Sequence, residues 1–507
     1  MIRKFKLLSL LFITLLLILS ACNKSSSTDV SEEREDQPKG DEVTEEPTEL
    51  TVAFYIHGET PRDLQLVEDK VSEHTLDKIN AKVNLMPISI GDYQQQMNLM
   101  LSGNENLDLL ITSGRMGFIG FATRGQLLEL DELIEEYGVD IQNILPEEYL
   151  SSLKLKGKTY GIPNLKDMAG KNGINMRVDL LEKHNIDVNN IKTLADVESV
   201  LRKIKENEPG VDPNIHFGPN VHPTNFVSWF DNLGDFFGVL PDDTDNLELV
   251  NLYETPEYEE FVKTMRNWYT DGLIMPDIAT STESVGELMG ANRGFSYFSA
   301  YKPGIDEQES RKSGTPMKNV TFDQEQPYSY THHLTGQMWS IGRNSKAPEK
   351  AMELLNLMFV DEELVNLLNW GIEGVHYEKV ADNVIVYPEG VNASNTRYSI
   401  NMPYLWGNSF LTYVMEGEDP ELWDELQKYN ESAINSKGLG FLFDPSEVSS
   451  ELTALTNVRN EYAYGLETGS VDPERYLPEF IERLREAGID KYIAEKQKQF
   501  DEWNKNK

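Results

Sequence analysis

Leu50-Thr51-Val52-Ala53-Phe54-Tyr55-Ile56, closed by Gly58, reads as a strand, and the alternation that begins with it sets the fold class. Residues 63–80 carry apolar side chains at helical spacing (Leu64, Val67, Val71, Leu76, Ile79). Residues 81–88 read as a second strand, 93–101 as a second helix, and 106–112 as a short buried strand ending in Ser113-Gly114. Strands that alternate with helices predict an α/β sheet with parallel strands. Open sheets of this kind take ligands beyond the carboxyl ends of their strands. The turns at residues 57–59 and 112–115 are therefore the first places to look for a site.

The N-terminus sets the compartment. A basic start (Arg3, Lys4, Lys6) leads into the apolar run of residues 7–19 and then Leu19-Ser20-Ala21-Cys22, and Cys22 is the only cysteine in 507 residues. These are the parts of a secretory signal, and the apolar run is short for a membrane span of about 20 residues. The ending resembles the lipobox of bacterial lipoproteins, which implies removal of residues 1–21 and a lipid, palmitate included, on Cys22. Residues 22–49 are rich in Ser, Glu and Asp with almost nothing apolar, and read as a disordered acidic linker, the leash of a tethered domain. With one cysteine there is no intrachain disulfide, so the chain must stand on its core, and its length suits two or three domains. The formal charge of −39 repels nucleic acid and anionic lipid and argues against an anionic polymer as ligand, although a local basic cleft could override that.

Four short motifs come next along the chain. Gly125-Gln126-Leu127-Leu128-Glu129-Leu130-Asp131 precedes Leu155-Lys156-Gly157-Lys158-Thr159-Tyr160-Gly161-Ile162-Pro163. Gly173-Ile174-Asn175-Met176-Arg177-Val178-Asp179-Leu180-Leu181 is the third, and a helix over 193–207 the fourth. The order resembles the extracellular solute-binding proteins of ABC importers, of the carbohydrate (maltose-binding) type. Thr193-Leu194 stands where that family has Thr-Trp, and one extra residue separates Asn175 from Asp179. The resemblance continues through residues 268–274, 294–298, 339–341 and a helix over 347–359. Beyond residue 370, Gly371-Ile372-Glu373-Gly374-Val375-His376-Tyr377 and a long helical tail resemble a Gram-positive lipoprotein subgroup with an extended C-terminal domain.

The resemblance implies a two-lobed α/β, periplasmic-binding-protein-like fold that closes on its ligand like a hinge. Lobe one would be residues 50–162 plus 329–375, and lobe two 163–328 plus 376–507, with an extended helical C-terminal region. The first hinge would pass through Ile162-Pro163, where proline fixes one dihedral. It also implies a lipid-anchored receptor on the outer face of a Gram-positive membrane. As a monomer it would capture a sugar or oligosaccharide and deliver it to ABC permease subunits, with no cofactor and no chemical change.

A sugar offers apolar faces to aromatic rings and a rim of hydroxyls to polar groups. The resemblance points to Tyr301, just after the strand 295–298, as a stacking ring, and to Trp229 in the matching region of lobe two. Phe226 and Phe230 flank Trp229 at helical spacing and read as core. Arg115 and Glu59 lie in the two strand-to-helix turns, and arginine's planar fork suits paired oxygens. Trp339, Trp370, Tyr377 and Trp406 complete the candidates, with packing between lobes as their competing reading. No metal site is expected. His332-His333 is the only histidine pair, and neighbours in a strand face opposite ways. The acidic loop 242–246 lacks the glycine and terminal glutamate of an EF-hand.

No G-x-S-x-G elbow or phosphate-binding loop is present, and a lipidated Cys22 leaves no catalytic thiol, so no enzyme activity is expected. Glycoside hydrolysis needs two placed carboxylates, which 85 acidic residues neither support nor exclude. The alternatives are a surface glycan-processing enzyme, a glycan-adhesive lipoprotein, or the same fold binding a peptide or other polar solute.

Overall fold

The computed structural model describes residues 46–506 other than 104 and 243–245. Cys22, the signal and nearly all of the linker lie outside the described residues, as does most of the acidic loop 242–246. Residues 47–507 form one compact unit.

The strands of its two main sheets are, in chain order, β1 (Thr48–Ile56), β2 (Ala81–Ser89), β3 (Leu109–Thr112), β4 (Ile162–Pro163), β5 (Gly173–Arg177), β6 (Asp212–Asn214), β7 (Gly294–Phe298), β8 (Met317–Thr321) and β9 (Met338–Ile341). The first sheet has the order β2-β1-β3-β9-β4. β1 runs parallel to β2 from Thr48 opposite Ala81 to Ile56 opposite Ser89, and parallel to β3. β9 enters antiparallel between β3 and β4, with Met338 opposite Thr112 and Pro163. The second sheet has the order β8-β5-β7-β6 and is mixed: β5 is antiparallel to both neighbours, and β7 is parallel to β6.

Local sequence explains where the helices begin and end. The first runs Leu64–Ile79 and stops at Asn80, whose left-handed φ of 50° turns the chain straight into β2. The helix Leu194–Asn207 opens with a capping box, Thr193 accepting from the Asp196 N–H while the Asp196 carboxylate accepts from Thr193. Its Val197, Leu201 and Ile204 are buried on one face.

Two cores result. The first packs Val52, Phe54, Leu109–Ile111 and Met338–Ile341 against Leu354, Leu355 and Phe359. The second packs Ile174, Met176, Trp268 and Phe295 against Leu455, Leu466, Phe480, Tyr492 and Phe500. The three last helices, Ser449–Glu467, Pro473–Glu486 and Ile489–Lys505, thus belong to the second core. A small third cluster joins Trp370, Tyr377, Ile385 and Tyr413.

One stretch departs from the expected division. Tyr398, Ile400, Met402, Leu405 and Trp406 pack in the first core, not the second. Trp406 meets Phe54 edge-to-face at 4.9 Å, and the Asn164 side chain donates to the Leu405 carbonyl at 3.0 Å. Apolar residues on a late segment suit either core, and only shape selects one.

The chain crosses between the cores at residues 163–173 and 322–338. It crosses again near residue 440, where Leu439 and Leu442 pack in the first core and Phe441 and Phe443 in the second. Gly440 permits this last crossing: its φ is 87°, and a Cβ there would collide with Ser152. Gly440→Ala should therefore combine backbone strain with overpacking and destabilise by about 2 kcal/mol or more. Gly417→Ala, at a φ of 94° with open space around it, should show only the backbone part. Thermal unfolding of both variants checks this, and equal melting temperatures would contradict it.

Candidate functional site

A cavity of about 520 Å³ lies where the two lobes meet the crossings. Gln337, Asn401, Pro403 and Tyr404 wall it from the first-core side. Lys302, Gly304, Glu307 and Arg311, on the segment that follows β7, wall it from the second-core side. Lys166 and Asp167 of the first crossing form its floor, and Trp370, Tyr413 and Trp423 its outer flank.

Each wall has a local cause. Backbone hydrogen bonds between Lys171 and Tyr301, at 2.9 and 3.2 Å, tie the segment after β7 to the first crossing. Gly304, at φ 76°, turns that segment into the helix Ile305–Ser313, and a Cβ there would strike Leu422. The indoles are anchored by their N–H groups, Trp370 to the Tyr413 carbonyl at 3.1 Å and Trp423 to the Thr412 carbonyl at 2.6 Å. Gln337 donates to the Tyr55 hydroxyl at 3.4 Å, which brings the end of β1 to the cavity's edge.

Asp167 sits between two ammonium groups, Lys302 at 2.8 Å and Lys166 at 3.2 Å. Burial pushes its carboxyl pKa up, but the two lysines outweigh burial and hold it well below the usual carboxylate range. The floor is therefore ionic, a carboxylate and two cations set among aromatic rings.

Arg115 stands on the other flank. Ser113 accepts from the Met116 N–H at 3.1 Å, and Gly114 donates to the Thr335 carbonyl at 2.9 Å, so the turn after β3 is pinned to the second crossing. Arg115 is exposed to water yet walled by protein, and burial and then the charge of Arg459 lower its pKa. His332 and His333 lie beside it. They occupy the one-turn helix Thr331–Leu334, not a strand, and their rings are 4.2 Å apart rather than on opposite faces. The Tyr330 N–H donates to His333 Nδ1 at 3.0 Å. Burial, then Lys166, pushes the His333 imidazole down to about 3, with Asp167 opposing. Burial, His333, Arg115 and Lys166 hold His332 well below its usual value, so both rings are neutral.

The structure brings some of the expected residues together and separates others. Trp370 lines the cavity. Tyr377 lies behind it, edge-on to Tyr413 at 5.9 Å. Tyr301 is half-buried next to Lys302, edge-on to Tyr429 at 5.8 Å. Glu59 is exposed in the turn beyond β1. Trp229 lines a different groove of about 900 Å³, together with Glu257, Glu260 and Tyr328, while Phe230 beside it is core.

Trp339 and Trp406 need correction. Both are 0 % exposed and stack on each other at 6.2 Å inside the first core, the Trp339 indole donating to the Leu405 carbonyl at 2.7 Å. Neither can touch a ligand. Lys166, Asp167, Lys302, Tyr404, Tyr413 and Trp423 were not among the expected residues. Lys302 directly follows Tyr301 and was within reach of sequence reasoning, whereas nothing in the sequence marks Tyr404 or Asp167.

Residues 68–364 match the family of bacterial extracellular solute-binding proteins, more than half of the chain. The chain belongs to that family. Residues 437–505 match a domain of unknown function. A carbohydrate ABC transporter substrate-binding protein of Streptococcus pneumoniae is 29 % identical over 460 residues, covering 90 % of this chain and 91 % of that protein. The crystal structure of the N-glycan transport solute-binding protein NgtS of S. pneumoniae is 27 % identical, with a TM-score of 0.79 over 90 % of this chain and 99 % of that one. NgtS in complex with Man1GlcNAc matches at 0.73, and with Man5GlcNAc at 0.71. The match supports the two-lobed α/β architecture expected from the sequence.

The Asp167 ion cluster sets a pH dependence. Its folded pKa is depressed, so its contribution to stability is fully present above the unfolded value of about 3.9 and is lost as pH falls through the folded value. The difference in melting temperature between wild type and Asp167→Asn should be constant from about pH 5 to 8 and shrink below about pH 4. A difference that grew on acidification would overturn the assignment.

Proposed function

We propose that this solute-binding protein captures an oligosaccharide between its lobes and hands it to the permease of an ABC importer. The observation that carries the reading is the interlobe cavity itself, whose walls come from both lobes and combine Trp370, Tyr404, Tyr413 and Trp423 with charged groups. Rings cover the apolar faces of a sugar, and Lys166, Asp167, Lys302 and Gln337 meet its hydroxyls. Gathering donors from both lobes lets a ligand favour the closed state by binding it more tightly than the open one. The carbohydrate assignment of the pneumococcal relative supports the ligand class.

The same reading takes Cys22 as the lipidated mature N-terminus, holding a monomer on the outer face of a Gram-positive membrane by the acidic leash. In this role the protein changes no bond in its ligand.

A thermal-shift and calorimetric screen of the purified protein tests the ligand class, with Man1GlcNAc, Man5GlcNAc, other oligosaccharides and peptides. A ligand of the native state must raise the melting temperature. Trp370→Ala and Trp423→Ala should each weaken glycan binding roughly tenfold, because ring stacking adds on the order of 1 kcal/mol to the area buried. A shift from peptides alone, or turnover of a glycan, would sink the proposal. For the anchor, the wild-type protein should partition into the detergent phase and Cys22→Ser into the aqueous phase. Equal partitioning would remove the lipid from the reading.

A further inference from the structure

The charged groups of the interlobe cavity are sorted into pairs. Among the described residues its cations are Lys166, Lys302 and Arg311, and its carboxylates are Asp167, Glu307, Glu418 and Asp419. Asp167 takes both lysines, Lys166 on Oδ1 at 3.2 Å and Lys302 on Oδ2 at 2.8 Å. Arg311, on the helix Ile305–Ser313, meets Glu418 Oε1 at 2.7 Å. The other oxygen of Glu418 accepts from the Met415 N–H at 2.9 Å. Both oxygens of each carboxylate are engaged, and neither group can turn aside without losing a contact. Each cation that lines the cavity thus has a carboxylate of the protein's own.

The remaining two acids have no such partner. Glu307 makes no side-chain hydrogen bond or ion pair among the described residues. The Asp419 carboxylate accepts only from the Glu421 backbone N–H, at 2.9 Å. An arriving ligand therefore finds open carboxylates but no open cation. It also finds neutral groups: Gln337 donates to the Tyr55 hydroxyl at 3.4 Å, and the Asn401 side chain is without a partner among the described residues.

Hydroxyls and carboxylates meet this arrangement differently. A sugar hydroxyl donates to one group and accepts from another, so it can join Asp167, Gln337 or Asn401 without disturbing a pair. A carboxylate only accepts. To gain a cation it must displace Asp167 or Glu418, or sit beside one of them with like charge against like charge. Such a repulsive element discriminates between ligands as an added attraction does.

We propose that Asp167 and Glu418 determine specificity in this cavity, as resident counter-ions that reserve it for neutral glycans and turn away sugars that carry a carboxylate. The inference rests on the oligosaccharide-capture reading and narrows it to uncharged sugars. The two carboxylates lie far apart in the chain and hold different cations, so each can be removed alone.

Calorimetry on the purified protein tests this with matched pairs. Galactotriose is set against trigalacturonate, and Man1GlcNAc and Man5GlcNAc each against a counterpart with a primary hydroxymethyl group oxidised to a carboxylate. At least one neutral member should bind wild type, and its acidic counterpart should bind roughly ten- to a hundredfold more weakly, the range of an interaction with a charged group. The ratio of acidic to neutral affinity should then rise about tenfold in Asp167→Asn or in Glu418→Gln, according to which pair the added carboxylate meets. A merely structural role would weaken both members alike and leave the ratio where it was. Circular dichroism and melting temperature establish that each variant is folded, and Glu418→Gln carries the test alone if Asp167→Asn does not fold. If an acidic member binds wild type as tightly as its neutral counterpart or tighter, or if the ratio is unchanged in every folded variant, this inference fails and the capture reading stands. If no glycan of either kind binds, both fail.

Discussion

The return of β9 into the first sheet governs how the remainder of the molecule is arranged. Met338–Ile341 pairs with β3 on one side and β4 on the other, so the chain leaves the first lobe at Pro163 and re-enters it on the neighbouring strand. Everything between is an insertion whose two ends are held side by side. The crossings consequently pair with each other: Gly170 and Tyr328 exchange backbone hydrogen bonds at 3.0 Å, and the Ser329 hydroxyl donates to the Met168 carbonyl at 2.6 Å. Two adjacent strands crossing a gap make a hinge, and the gap above a hinge is where groups from two lobes can converge. The cavity, the Asp167 cluster and the His332-His333 turn all lie on or against these crossings.

The second feature is where the positive charge sits. The chain is strongly acidic overall, yet Lys166, Lys302 and Arg311 line the interlobe cavity. The two lysines share the Asp167 carboxylate, and Arg311 pairs with Glu418 at 2.7 Å. Two ammonium groups side by side repel, and the carboxylate between them offsets that cost. The C-terminal helices add their apolar faces to the second core.

Much of the architecture was legible in advance. Strand–helix alternation over residues 50–112 marked the parallel part of the first sheet, because burial on both faces demands continuous apolar runs and amphipathic helices to cover them. The motif order placed a helix over residues 193–207, and the structure shows it starting at the Thr193–Asp196 capping box. The turn carrying Arg115 was legible because the carboxyl ends of parallel strands lie at one edge of a sheet. The aromatics were not. Trp339 and Trp370 look alike in sequence, but one is sealed in the first core and the other opens onto the cavity. Trp229 sits in a groove of its own. His332 and His333 read as strand neighbours, and a single helical turn brought their rings together.

Local features are written in the chain itself. They include which segments are strands and helices, where they are capped and the order of motifs that marks the family. These depend on spacings of a few residues, and the chain carries that information wherever it is folded. Partnership across long separations belongs instead to the folded molecule: Trp406 against Phe54, Lys302 against Asp167, and Arg459 against Tyr253. A late apolar or charged residue fits several environments equally well by its chemistry. The choice among them is made by the shape left after the two sheets close, and no local spacing encodes that shape.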